Sequence, residues 1–321
     1  MASLGSRRIP EISVHPRTRA TTFIAIGVLM PLALVAQAPD SARVHYSARA
    51  CPSCAEWNEP APPRTLFANV HYVGTRGLSA VLLTSGAGHI LIDAGLPASA
   101  SQIMANVRAL GFRVEDIRLI VNSHAHYDHA GGIAFVQRAS GARVAARPSS
   151  AAVLQRGEVG PDDPQYGIAL RYPAVTGTRI ERVGDGDTVR VGPLSMFAYA
   201  TGGHTPGGTS WSWRSCDGAM CLDFVYADSH TPVSTEGFLF TNSVTYPGAL
   251  DDFARGHSTL ESLPCDVIIT PHPAASRLWE RVRRMDREGV SALRDREGCR
   301  RYAANAREQL RQRIVRESAG R

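Results

Sequence analysis

Residues 124–129 read His124-Ala125-His126-Tyr127-Asp128-His129 and lead into a turn at Gly131-Gly132. Residues 117–121 are apolar and of strand length, so we expect the cluster to lie on a loop at the end of a buried strand. Four metal-ligating side chains within six positions offer nitrogen ligands for one Zn²⁺ and mixed nitrogen and oxygen ligands for a second. The stretch therefore predicts a metal centre.

Two further histidines follow strand-like runs in turn-forming surroundings. His204 lies within Gly202-Gly203-His204-Thr205-Pro206, and His272 lies within Thr270-Pro271-His272-Pro273. The glycines allow a close approach of the backbone, and the prolines fix how His272 is presented. Both histidines are predicted to join the metal centre.

The remaining pattern favours one α/β domain over residues 39–321. Strand-like runs separated by Gly-rich turns fill residues 70–93, a helical pattern follows over residues 102–110, and further strands are predicted at 189–201, 209–213, 224–227 and 267–270. No Pro/Gly/Ser-rich linker divides the sequence into two domains. Residues 157–173 are rich in Gly, Pro and Asp and are predicted to form a long loop that overhangs a site.

With these motifs in place, the sequence resembles the metallo-β-lactamase superfamily, and within it the subclass B3 enzymes. The resemblance extends from Tyr72 to Pro273, and four segments carry it: HAHYDHAGG at 124–132, GHTPGGTSW at 203–211, YADS at 226–229 and TPHP at 270–273. It implies an α/β fold built as a four-layer αβ/βα sandwich, with the metal ions at the edge of two facing sheets.

The resemblance also implies a ligand set for two Zn²⁺ ions. His124, His126 and His204 would hold the first ion, and the second would be held by Asp128, His129 and His272. Another subclass uses a cysteine ligand at the position of Ser229, so the serine here matches the second site of subclass B3.

A hydrolytic function follows from this ligand set. Two zinc ions lower the pKa of a shared water toward neutrality and so supply hydroxide as the nucleophile. The implied reaction is hydrolysis of the lactam amide of penicillins, cephalosporins and carbapenems, which confers antibiotic resistance. Asp128 is the expected catalytic residue, because it would ligate the second zinc and orient the hydroxide. The sequence lacks both SxxK and a GxSxG elbow, which argues against a serine hydrolase.

Three polar residues are candidates for binding the β-lactam substrate. By resemblance, the substrate carboxylate would meet the second zinc and the hydroxyls of Ser229 and Thr231. Thr231 replaces a serine that is common in the family but keeps a hydroxyl donor. Gln165, in the long loop, is a further candidate hydrogen-bond donor to the substrate.

Two alternatives stay open at this point. Other dizinc hydrolases of the same fold, such as acyl-homoserine lactonases and glyoxalase-II-like thioesterases, also carry HxHxDH, and they use an aspartate that bridges both metals near the position of Asp228. A metal-binding protein without catalysis is the second alternative. Six ligands without a cysteine leave open coordination positions, which suits catalysis better than a closed structural site.

Composition and charge exclude other classes of protein. With 321 residues, 44% apolar and 20% charged, the chain is globular rather than disordered or collagen-like. The net charge of +6 is uneven: residues 1–38 carry +3, residues 277–321 carry +7, and the body between them carries −4. A mildly acidic body is poor support for nucleic-acid binding, so none is expected. We expect a monomer whose partner is its small-molecule substrate.

Residues 1–38 resemble an export signal peptide. Four arginines precede an uncharged apolar run over residues 21–38, and the run ends in small residues, so cleavage is expected after Ala38 or Ala36. The alternative is a single membrane anchor, because the run is close to the length of a spanning helix. Pro31 and the small residues favour cleavage, which predicts a periplasmic protein without stable membrane association.

The cysteine pattern agrees with export. Six cysteines follow the leader, and an even number in an exported chain indicates disulfides, with 15 pairings possible. Cys216 and Cys221 flank a turn signal and favour a hairpin bridge, while Cys265 and Cys299 would tie the C-terminal segment to the body. The remaining pair is Cys51 with Cys54, for which a redox-active role or half of a zinc site is the alternative.

Overall fold

Short apolar runs between turn residues build the sheets of this protein. The computed structural model describes residues 46–319, and within them twelve strands form two sheets. The first sheet has the order β1-β2-β3-β4-β5-β6-β7 and consists of β1 (Arg64–Phe67), β2 (Val70–Tyr72), β3 (Val81–Leu83), β4 (His89–Ile92), β5 (Ile117–Val121), β6 (Arg143–Ala146) and β7 (Ile180–Arg182). Strands β1 to β4 run antiparallel as a meander, and β4 to β7 run parallel.

The second sheet has the order β12-β11-β10-β9-β8. Its strands are β8 (Thr188–Val191), β9 (Leu194–Ala200), β10 (Thr209–Asp217), β11 (Met220–Tyr226) and β12 (Val267–Ile269). Strand β12 pairs with β11 in parallel, and the other neighbours are antiparallel. The burial of β9 alternates strictly along its length, as expected for a strand with one face on a core.

Helices cover the outer faces of both sheets. In the described part of the chain the α-helices are α1 (Cys54–Trp57), α2 (Ser99–Ala109), α3 (Tyr127–Ala130), α4 (Ile133–Ser140), α5 (Pro148–Arg156), α6 (Ala249–Ser262), α7 (Leu278–Glu288) and α8 (Gly298–Ala319). Helix α2 is followed by Gly111 at φ +87°, a left-handed conformation that glycine adopts without strain and that ends the helix where the sequence predicts.

Separate apolar clusters hold the four layers together. The central cluster joins the facing sides of the two sheets, with Leu83 and Ile92 from the first and Trp211 and Phe224 from the second. A second cluster packs α2, α4 and α5 on the first sheet, and two smaller ones involve α6 and α8 on the side of the second sheet. The layers are therefore helix, sheet, sheet and helix, as the sequence analysis predicts for an αβ/βα sandwich.

The six cysteines form three disulfides within the described residues. Cys51 is bonded to Cys54, Cys216 to Cys221 and Cys265 to Cys299, which is the pairing that the sequence favours. The Cys216–Cys221 bridge spans two directly paired positions of β10 and β11. The Cys265–Cys299 bridge joins the segment before β12 to the first turn of α8.

The predicted leader and its cleavage position lie outside the described residues. The described residues 46–319 all belong to one compact unit. Within residues 46–319, no helix combines the length and the apolar character that a transmembrane span requires. The predicted long loop is present between α5 and β7 and carries neither helix nor strand.

Candidate metal centre

The cluster of metal-ligating side chains lies at one edge of the sandwich, where strands of both sheets end. His124 follows β5, and His126 directly precedes the short helix α3, which carries Asp128 and His129. His204 lies between β9 and β10, and His272 follows β12. Segments that are 148 positions apart in sequence, counted from His124 to His272, thus meet at one edge.

Asp93 holds the loop that carries this cluster. Its carboxylate accepts hydrogen bonds from the Ser123 amide at 2.8 Å, the Ser123 hydroxyl at 2.6 Å and the Asn122 side chain at 3.0 Å. The Tyr226 hydroxyl, at the end of β11, donates a fourth at 3.0 Å. Asp93 is fully buried, so it joins the ends of both sheets beneath the histidines. Asp93 follows directly on β4, and no motif in the sequence marks it as part of the centre.

Two overlapping groups have the geometry of metal sites. In one group the ligand atoms of His124, His126 and His204 lie within 4.8 Å of one another, and in the other those of His124, Asp128 and His129 do so. His272 adjoins the second group, because its Nε2 lies 3.3 Å from Asp128 Oδ2 and its ring centroid lies 4.8 Å from that of His129. The structure therefore brings together all six side chains that the sequence analysis predicts as ligands.

Most of these imidazoles use one nitrogen to contact a fixed partner. Nδ1 of His204 donates to the Thr231 carbonyl at 2.7 Å, and Nδ1 of His272 lies 3.3 Å from the Gly77 carbonyl. Two more rings contact carboxylates. Asp228 Oδ1 lies 2.8 Å from His124 Nδ1, and Asp163 Oδ1 lies 3.1 Å from His126 Nε2. Partners of this kind fix the tautomer and orientation of metal-binding histidines. The sequence analysis did not find the role of Asp163.

Two ring nitrogens of the cluster are buried and have no partner. Among the described residues, His124 Nε2 and His129 Nδ1 are inaccessible to solvent and have no hydrogen-bond partner. A buried polar atom without a partner is costly, and groups of this kind call for a missing ligand. A cation held by His124 Nε2 and the Asp128 carboxylate would satisfy the first of these nitrogens, so the residues present fit a metal ion.

The electrostatics of the cluster also suit a cation. Burial, reinforced by neighbouring histidines, lowers the pKa of His124 well below its usual value, and burial beside His126 lowers that of His204 to about 3. These rings are therefore neutral near pH 7, as ligands must be. For Asp128, burial raises the pKa, but His129 and His272 outweigh it and hold the pKa well below its usual value. The carboxylate is thus ionised.

The long loop between α5 and β7 closes one side of the centre. Asp163 belongs to this loop, and Tyr172 anchors it by donating to the Ala125 carbonyl at 2.8 Å. The Gln165 amide donates to Asp163 Oδ1 at 2.8 Å, which places the Gln165 side-chain Nε2 3.4 Å from His204 Nε2. The predicted overhang is confirmed for this part of the loop.

Ser229 and Thr231 lie on the opposite side, in the segment after β11. Together with His272 they line a pocket beside the second group. The Thr231 hydroxyl lies 3.3 Å from His204 Nδ1, so this segment touches both groups. The predicted substrate-binding residues thus surround the centre from two directions.

The N-terminal part of the described chain supports the second group. The Trp57 ring packs against His272 with 5.0 Å between centroids, and the Trp57 carbonyl accepts a hydrogen bond from the Gly77 amide at 3.2 Å. Cys51 Sγ lies 3.7 Å from the Tyr127 hydroxyl, next to Asp128 in sequence. The sequence analysis did not connect this segment with the centre.

Comparison with known proteins agrees with this geometry. The model of the metallo-beta-lactamase superfamily matches residues 73–272. Among solved structures, the Rm3 metallo-beta-lactamase is 53% identical, with a TM-score of 0.82 and coverage of 84% of this chain and 99% of that one. MEM-A1, a subclass B3 metallo-beta-lactamase from a soil metagenome library, is 44% identical, with a TM-score of 0.80 and coverage of 83% and 100%.

Curated relatives are more distant. A probable metallo-hydrolase of Burkholderia pseudomallei is 30% identical over 48% of this chain and 49% of its own length. A hydroxyacylglutathione hydrolase of Ectopseudomonas mendocina is 27% identical over 61% of this chain and 69% of its own length. The first of these matches spans only about half the length of the relative.

The matched family segment covers more than half of the chain and contains every residue of the two candidate ligand groups. The structural matches add a shared fold over nearly the full length of subclass B3 enzymes. The chain belongs to the metallo-β-lactamase superfamily, and within it resembles subclass B3.

Proposed function

We propose that this protein is a dizinc β-lactamase that hydrolyses the lactam amide of penicillins, cephalosporins and carbapenems. The observation that carries the proposal is the pair of adjoining ligand groups, which share His124 and include its buried Nε2 without a hydrogen-bond partner. The 53% identity to the Rm3 metallo-beta-lactamase, over 99% of that chain, supports the choice of substrate.

Zinc is the metal that the donor set favours. His124, His126 and His204 would hold the first ion, and the second would be held by Asp128, His129 and His272. Imidazole nitrogens suit zinc, and a set of three protein ligands for each ion leaves positions open, as in catalytic zinc sites. When bound, the ions lower the pKa of a water toward neutrality and polarise a carbonyl oxygen. Asp128, ionised and buried between His129 and His272, would accept a hydrogen bond from the attacking water and orient it.

Residues around the centre would bind and orient the substrate. Ser229 and Thr231 place hydroxyl donors beside the second group, which suits the carboxylate that β-lactams carry. Gln165 extends from the loop toward His204, where its amide can donate to the substrate on the opposite side. The long loop between α5 and β7 restricts the access of solvent to the side of the centre where Gln165 lies, which strengthens hydrogen bonds to the substrate there.

A lactone or thioester hydrolase is the second candidate function. The curated hydroxyacylglutathione hydrolases, such as the one that is 27% identical over 61% of this chain, favour it. In such enzymes an aspartate near the position of Asp228 would bridge the two metals. Here Asp228 contacts His124 Nδ1 and belongs to neither ligand group, which supports the β-lactamase instead.

A panel of substrates tests the proposal. The purified protein is assayed with a cephalosporin, a carbapenem, an acyl-homoserine lactone and a glutathione thioester, as isolated, after chelation and after zinc is restored. We expect turnover of the two β-lactams that the chelator abolishes and zinc restores. Turnover of the lactone or thioester alone by the zinc-loaded protein would refute the β-lactamase proposal.

Export to the periplasm and a monomeric state complete the proposal. Three disulfides within the described residues support an oxidising compartment. Residues 1–38 are proposed to be a cleaved signal peptide that leaves one catalytic domain over residues 39–321. In that compartment the enzyme would meet β-lactams before they reach their targets, so its expression should confer resistance.

A further inference from the structure

A pocket of about 320 Å³ lies beside the metal centre, with His272 in its lining. Ser229 and Thr231 also line it, together with Tyr302, Asn305 and Gln309 of α8. Asp128, His129 and the three residues predicted to hold the first ion are absent from its lining. The pocket therefore joins the residues that are proposed to bind the substrate carboxylate to one face of the C-terminal helix. We call it the α8 pocket.

The lining of the α8 pocket is uncharged. Its wall on α8 consists of Tyr302, Asn305, Ala306 and Gln309, whose spacing places them on one face of the helix. Ala274 and Ala275 form part of the opposite wall, and no Asp, Glu, Lys or Arg lines the space. A charged substituent against the α8 wall would find no ionic partner, so this wall suits a neutral group.

Two amides in this wall have free hydrogen-bonding capacity. Within residues 46–319, neither the Asn305 nor the Gln309 side chain has a hydrogen-bond partner in the protein, and both are exposed. By contrast, the Tyr302 hydroxyl is engaged, because it donates to the Asp228 carbonyl at 2.8 Å and accepts from the His230 amide at 3.2 Å. Tyr302 thus fixes α8 against the substrate-binding segment, and the two amides are left to meet a ligand.

The connectivity of bicyclic β-lactams links this pocket to the substrate. In cephalosporins and carbapenems, the ring carbon next to the one that bears the carboxylate carries a variable substituent. If Ser229 and Thr231 bind the carboxylate, that substituent starts only a few bonds away, at the mouth of the α8 pocket. The substituent on the lactam ring itself lies on the other side of the molecule, toward the loop that carries Gln165.

We propose that the α8 pocket is a specificity subsite for the substituent adjacent to the carboxylate, and that Asn305 and Gln309 select neutral substituents that accept or donate hydrogen bonds. This inference rests on the proposed β-lactamase function. It assigns discrimination between substrates to the C-terminal helix, which contributes no residue to either ligand group.

Two variants test the subsite through exposed positions, where folding is little affected. The double variant Asn305→Ala/Gln309→Ala removes both amides, and Ala275→Phe narrows the pocket. Gln312→Ala, on the same helix outside the pocket, is the control. Each zinc-loaded protein is assayed with two carbapenems that share the lactam ring and its substituent. One carries a methyl group next to the carboxylate, and the other carries a thioether that ends in a neutral amide.

We expect the double variant to raise KM for the amide-bearing carbapenem about fivefold, as the loss of one or two hydrogen bonds predicts, with kcat little changed. Ala275→Phe should raise the same KM about tenfold. For the methyl-bearing carbapenem, KM should change less than twofold in both the double variant and Ala275→Phe. If both variants leave the ratio of KM values within about twofold of the parent and the control, the subsite is refuted. If the parent itself hydrolyses neither these carbapenems nor a cephalosporin, the β-lactamase function is refuted, and the subsite with it.

Discussion

Asp228 Oδ1 lies 2.8 Å from Nδ1 of His124, on the side of the ring opposite the buried Nε2. The carboxylate therefore stands behind the imidazole and is not one of the converging ligand atoms. This arrangement fixes the ring so that Nε2 faces the cluster, and it raises the basicity of that nitrogen toward a cation. It also separates this centre from one in which the same aspartate bridges two metals.

Replacing Asp228 should weaken the first zinc site selectively. Asp228→Asn keeps the shape but replaces the carboxyl group behind His124 with an amide, so we expect the first-site affinity for zinc to fall about tenfold or more while the second site is retained. Competition with a chromophoric chelator measures both affinities. Asp223→Asn, on the surface of β11, is the matched control. Equal loss at both sites would instead indicate a bridging aspartate.

Trp57 should matter for the second site. Its ring packs against His272, and its carbonyl holds Gly77, whose own carbonyl contacts His272 Nδ1. Trp57→Leu removes the ring contact, so we expect the second-site affinity for zinc to fall about tenfold, by analogy with other partners of metal-binding histidines. Phe197→Leu, at an exposed aromatic residue on β9, is the control. Chelator competition that shows an unchanged second site in Trp57→Leu would contradict this role.

The disulfides should contribute unequally to stability. Cys265 and Cys299 are 34 positions apart, whereas Cys216 and Cys221 are five apart. Because a longer closed loop restricts the unfolded chain more, replacing the first pair with serine should lower the free energy of unfolding by about 3–4 kcal/mol, and the second by about 2 kcal/mol. Urea denaturation of the two double variants compares them directly. If replacing Cys216 and Cys221 lowers the free energy of unfolding more than replacing Cys265 and Cys299, loop length does not govern the contribution of these disulfides.

His71 should make stability depend on pH outside the metal centre. It is buried between the hydroxyls of Thr65 and Thr84, and burial, with a further effect of His89, lowers its pKa to about 4. Between pH 6.5 and 4, His71 therefore binds more protons in the unfolded chain than in the folded protein. Its contribution to the free energy of unfolding is complete above pH 6.5 and is lost as the pH falls toward 4. The slope per histidine reaches about 1.4 kcal/mol per pH unit.

The comparison of the parent with His71→Gln isolates the effect of His71. Both proteins have the same metal centre, so the stability that is lost when its ligands are protonated in acid is the same in both. We expect the free energy of unfolding of the variant to fall less steeply between pH 6.5 and 4. Urea denaturation at several pH values within this window provides the slopes. Identical slopes would mean that His71 does not titrate differently in the folded and unfolded states.

The sequence located the ligand cluster because local signals mark it. Strand β5 is a continuous apolar run, and glycines and prolines punctuate the chain around His204 and His272. The extents of β10 and β11 were underestimated, because the outer ends of this hairpin carry polar residues such as Arg214 and Asp223, which pair across the strands and hide the apolar signal. The strands that lead into the ligand cluster were thus predictable, whereas the lengths of β10 and β11 and the presence of β1, β6 and β7 were not.

The residues behind the ligands were not predictable from local pattern. Asp163 lies in a loop without regular structure, and its place beside His126 depends on the anchoring of that loop by Tyr172. Trp57 reaches His272 across 215 positions of sequence. Contacts of this kind are set by how the two sheets and their loops pack together, and the spacing of residues within one segment carries no signal for them.

The most direct test of the central claim is a zinc titration of the metal-free protein, followed at each step by bound metal and by carbapenem hydrolysis. We expect saturation at two zinc ions per chain, turnover that rises with zinc binding, and loss of one equivalent in His272→Ala. Saturation at a single ion in the parent, or two bound ions without any β-lactam turnover, would contradict it.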